Sequence, residues 1–182
     1  MRIKSHWFRS DRPKTPEEIA GAAAFIAWRV AQNALKTMRA AHYDLPPGKR
    51  YFSFVAEFLV FLTLGADRVA YRRGDGAWRV AFTTAMANRV GEILAQNESD
   101  LLGAESVGDV KRRFVDLVNE CAAECAGFEW DDAGPDYAFL RFLGHHRMRR
   151  RRLPIRGLPA ELELRVVRVV QQFLERIPHG YT

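Results

Sequence analysis

Cysteine is almost missing from this chain: Cys121 and Cys125, four residues apart, are the only two. A single pair at that spacing provides no disulfide framework, and it lacks both the CxxC spacing and the second pair of a zinc site. On a helix the two thiols share one face, where they read as small buried side chains in a reducing compartment. Histidine, with five residues, shows no metal-binding pattern either. His6, His42, His145, His146 and His179 form no HExxH or ExxH arrangement, which removes the metalloprotease and di-iron readings. The adjacent His145 and His146 would splay by about 100 degrees on a helix, too far to share a metal. No metal and no cofactor is expected. GxxxxGK[ST], GxGxxG and GxSxG are absent too, so a phosphate-cradling loop and a hydrolase elbow have no foothold.

Long apolar runs are also lacking. The greasiest stretch, YFSFVAEFLVFLTLGA over 51–66, is shorter than the roughly 20 residues that cross a bilayer and carries Glu57 at its middle. It is read as a buried helix. The opening MRIKSHWFRSDRPK has neither the apolar stretch nor the cleavage site of a secretory signal, which sets the expectation of a cytoplasmic protein. No segment recurs at a period of 20 to 50 residues, which excludes a solenoid.

What is present is helical periodicity. Of the 182 residues, 48% are hydrophobic and 27% charged, the composition of a globular chain, and the length suits one domain. Thr15-Pro16-Glu17-Glu18 reads as a capped helix start. Ile19, Ala23, Ile26, Val30, Ala34 and Met38 then recur every three or four residues, extending a first helix to about residue 41. A second is expected over 49–73, with apolar residues around most of its circumference, stopping at Gly74-Asp75-Gly76. A third, over about 77–96, places Val80, Thr84, Ala87, Val90, Gly91 and Leu94 on one side, and 97–105 reads as a polar connector. The fourth has the cleanest stripe: Val110, Phe114, Leu117, Cys121, Cys125 and Phe128. After the turn GFEWDDAGPD come a shorter helix over about 137–150 and a last one from Pro159, with Leu162, Val166, Val169, Phe173 and Ile177 in register. The expected fold class is all-α: a single-domain bundle over 1–182 of five to six helices, the long ones roughly antiparallel, with the second and fourth supplying most of the core. Residues 1–14 form a basic aromatic arm around His6, Trp7 and Phe8.

Charge is unevenly spread. The net charge is +6, yet 141–156 alone carries seven arginines and no acid, whereas 92–136 holds twelve acids against Lys111, Arg112 and Arg113. The stretch GHHRMRRRRLPIR supplies the candidate macromolecule-binding residues Arg147, Arg149, Arg150, Arg151, Arg152 and Arg156. As a helix or an extended arm it meets phosphates without reading bases. A solvated or internally paired stretch is the plainest reading, and contact with an acidic protein or an anionic lipid surface is a further one. The choice of arginine carries little weight, because 23 Arg beside 5 Lys and 24 Ala also fits a GC-rich genome.

The expected function is therefore a non-enzymatic protein that contacts an acidic macromolecule, nucleic acid or protein, through this segment. The competing expectation is a small-molecule binder or an enzyme with an inter-helix pocket near Glu57. An ionised carboxylate among apolar neighbours needs a counter-group, for which Arg29, Asn33 and Asn88 are candidates. Glu129, Asp131, Asp132 and Asp136 surround Trp130 at a spacing that fits no EF-hand, so they read as a solvated loop. A homodimer through an exposed part of the second helix or through the aromatic arm completes the expectations.

Overall fold

The first helix, α1 (Pro16–Ala40), begins with the expected capping box: the Glu18 N–H donates to Thr15 Oγ1 at 3.3 Å, and the Thr15 N–H donates to Glu18 Oε2 at 3.0 Å. The structure, a computed structural model, describes residues 14–40, 48–103, 106–128, 130–131 and 134–135. The two helices expected beyond residue 136, the arm before residue 14 and the whole arginine tract lie outside the described residues.

Three more helices follow: α2 (Lys49–Arg73), α3 (Gly76–Leu102) and α4 (Val107–Glu124). They pack against one another, giving the all-helical framework that the periodicity predicts. Among the described residues beyond α4 there is a two-residue antiparallel ladder, β1 (Trp130–Asp131) with β2 (Gly134–Pro135), inside the acidic turn.

The limits of α2 coincide with the sequence reading. Only Gly74 and Asp75 separate it from α3, and both residues are suited to that elbow. A Cβ on Gly74 would come within 2.8 Å of the Trp78 ring, while the Asp75 side chain caps α3 by accepting from the Trp78 N–H at 2.7 Å. The expected connector over 97–105 is corrected: α3 continues through Leu102. It stops at Gly103, whose φ of +66° is the left-handed cap that glycine adopts without strain. Ser106 then caps α4 by accepting from the Asp109 N–H.

Chain direction alternates. Asp67 near the end of α2 meets Arg79 and Thr83 near the start of α3, so these helices are antiparallel. Lys111 early in α4 reaches Glu92 late in α3, and Arg68 donates to the Cys125 carbonyl at the far end of α4. Glu17 shares a hollow with the first turns of α3, which makes α1 and α3 parallel. Their contact is the most extensive in the bundle. The buried face of α1 permits this closeness, since Ala20, Ala23, Ala24, Ala27, Ala31 and Ala34 keep the backbones near one another.

The core differs from expectation in its centre. α3, not α4, is the helix that packs extensively on all three others. Its inner face is also rotated from the expected one at its start: Phe82 and Met86 are buried, whereas Val80 and Thr84 point outward. α2 does bury its apolar circumference, from Phe52 through Ala70, but against its own chain. Near its end α2 leaves Tyr71 exposed.

Candidate functional site

The elbow between α2 and α3 gathers the densest polar cluster among the described residues. Asp67 lies seven residues before Gly74 and Arg79 four after Asp75, and antiparallel packing brings them face to face. Arg79 grips the carboxylate with two parallel bonds, Nε to Oδ1 at 2.9 Å and Nη2 to Oδ2 at 2.6 Å. Such a fork is stronger than a single charged contact. The Thr83 hydroxyl adds a third donor to Oδ1 at 2.7 Å. The Tyr71 ring covers the guanidinium, with Cζ at 4.9 Å from its centroid. The hydrogen bond to Asp67 holds the Arg79 pKa above its already high ordinary value, against a smaller opposing effect of burial.

A hollow of about 380 Å³ opens beside this cluster, lined by Asp67, Tyr71, Asp75, Arg79, Thr83 and Thr84 among others. A second, shallower and mostly apolar hollow of about 730 Å³ lies between the starts of α1 and α3. Glu57 lines neither. It sits on α2 with only 5% of its surface exposed. Of the counter-groups expected for it, Arg29 and Asn33 are exposed, and Asn88 donates its amide to the Thr84 carbonyl at 2.9 Å.

Further charged contacts lie along and beside the α3–α4 seam. Glu92 accepts from Lys111 Nζ at 2.9 Å and from Arg89 at 3.1 Å, which holds its carboxyl below the usual carboxylate range, the Lys111 bond being the larger cause. Arg112 pairs with Asp109 and Arg113 with Glu98. Cys121 and Cys125 are both buried, along the inner stripe of α4 and at its cap, as the spacing predicts. Among the described residues, no three His, Cys, Asp or Glu side chains converge as a metal site would require. No described helix is long and apolar enough to cross a membrane.

Arg147, Arg149, Arg150, Arg151, Arg152 and Arg156 are outside the described residues, so their geometry relative to Glu57 is undescribed. The elbow cluster was missed by sequence reasoning, although a signal existed. An acid two turns before and a base one turn after a Gly-Asp elbow can meet across a helical hairpin. Chemically the cluster is a clasp: its carboxylate accepts from three donors, two at Oδ1 and one at Oδ2, and the Thr83 hydroxyl is tied to it. No protein-family model, no curated protein and no solved structure matches the chain.

Proposed function

We propose that this chain is a non-enzymatic, cytoplasmic helical protein that contacts an acidic macromolecule through the basic segment 144–156. Nucleic acid is the favoured partner. One observation carries this reading: the charge surplus is concentrated in the tract rather than shared with the helical framework. The described residues hold fourteen Lys and Arg against thirteen Asp and Glu, close to balance. Four of those acids, Asp67, Glu92, Glu98 and Asp109, are already gripped by the framework's own cations. Seven arginines over 141–156 face no acid in their own stretch. Guanidinium groups in such density suit phosphate oxygens and bind them without sequence preference.

The test is fluorescence anisotropy with a labelled duplex and a labelled single strand. If Arg149, Arg150, Arg151 and Arg152 each release one counterion, duplex affinity falls about a hundredfold between roughly 50 and 200 mM salt. Replacing these four by Gln should remove most of that dependence. Absence of binding at low salt rejects nucleic acid, and capture of an acidic protein by the tract would then identify the other class of partner.

A second reading, a small-molecule binder or enzyme with an inter-helix pocket, rests on the burial of Glu57. A metabolite held there should raise the melting temperature in a thermal-shift screen, and Glu57→Gln should abolish the rise. A screen without such a response removes this reading.

A further inference from the structure

The outward ridge of α1 is self-complementary. Glu17, Gly21, Phe25 and Arg29 follow one another at four-residue steps, so they form a continuous row on one side of the helix. Phe25 is 61% exposed, the largest apolar side chain presented by α1. Glu17 and Arg29 are exposed at the two ends of the row. A Cβ built on Gly21 would meet no atom within 4 Å, so there is open space above it. At the Glu17 end of this row lies the shallow hollow lined by Gly76, Ala77, Ala81 and Ala85, and by Val80, which is 65% exposed.

A two-fold symmetric interface must set each feature against its complement on the same patch. The α1 row meets that condition about an axis at the level of residue 23. In an antiparallel crossing there, position 21 opposes position 25 and position 17 opposes position 29. The aromatic knob then meets the glycine gap, and the acid meets the base. Even spacing along the helix lets both matches occur together, because four residues rise about 6 Å in each copy.

We propose that α1 docks antiparallel on α1 of a second copy of this chain. Phe25 seats over the partner's Gly21, toward the apolar hollow at the end of that row, and Glu17 pairs with the partner's Arg29. The interface is separate from the basic tract and stands whether or not that tract binds nucleic acid.

Light scattering and sedimentation of the full chain at micromolar concentration should give twice the 20.8 kDa chain mass. Phe25→Lys should raise the dimer dissociation constant at least about tenfold, and so should Glu17→Arg or Arg29→Glu alone, because each turns two attractive pairs into repulsive ones. The combined Glu17→Arg, Arg29→Glu chain restores both pairs with reversed polarity and should regain most of the affinity. Glu17 also lies in the first turn of α1, where an acid favours the helix, so association rather than melting is the readout. Circular dichroism confirms that each variant is folded. A monomer at every concentration overturns the proposal, as does a dimer indifferent to Phe25→Lys or a charge-swapped chain no better than the single reversals. A dimer that forms only after residues 1–13 are removed would assign the face to that arm, and equally overturns it.

Discussion

Three donors converge on Asp67, and the consequences of removing them differ in kind. Thr83→Ala deletes one neutral donor and should cost about 1 kcal/mol in urea unfolding. Arg79→Met should cost more, about 2 kcal/mol, because it strips the charged fork from a carboxylate whose side chain is only 15% exposed. Equal losses for the two variants would show that the fork contributes nothing beyond packing. Glu92 makes a pH-dependent prediction. Its folded pKa lies below the ordinary value, so its pairing stabilises the fold above the unfolded pKa and that contribution disappears as pH falls through the folded one. Lys111→Met keeps the stem that lies against Gly91 but removes the ammonium. At neutral pH it should lose about 0.5 kcal/mol, a small figure because both partners are partly exposed, and the gap to the parent chain should close below about pH 4. A gap independent of pH would contradict the assignment. Burial of Glu57 was legible, because apolar neighbours on every side leave a carboxylate nowhere else to go. Its surroundings were not, since the partners of a buried group come from helices whose rotation a single sequence does not specify.

Helix ends were legible where they carry chemical punctuation, and misread where polarity was taken for a break. Thr15 with Glu18, and Gly74 with Asp75, mark their boundaries by side-chain type. The stretch Asn97-Glu98-Ser99-Asp100 suggested a loop, yet these residues belong to the last turns of α3, where Asn97 donates to the Ile93 carbonyl, Glu98 accepts from Arg113 and Asp100 from Gln96, and the helix continues to its glycine. Gly103 was the better signal. Gly103→Ala should destabilise by about 1 kcal/mol, since alanine is strained at a φ of +66°, and Asp75→Ala should cost a similar amount by orphaning the Trp78 N–H. Thermal melts of the two variants check both. The central place of α3 was overlooked for a related reason. Its inner face uses Ala87, Gly91 and Ala95 beside Phe82 and Met86, and small residues add close approach without adding to a count of greasy ones.

For the molecule as a whole, the class of fold could be read from periodicity, while the parallel pairing of α1 with α3 could not, because alanine gives a weak hydrophobic signal wherever it lies. That pairing has a mechanical corollary. Alanine has no side-chain torsion to turn, so the joint between these helices has no local means of absorbing an added atom. Ala27 is fully enclosed. Enlarging it to isoleucine should act as a wedge, costing about 1–3 kcal/mol and levering α1 away as a rigid rod, which amide exchange would register along the entire rod instead of at one turn.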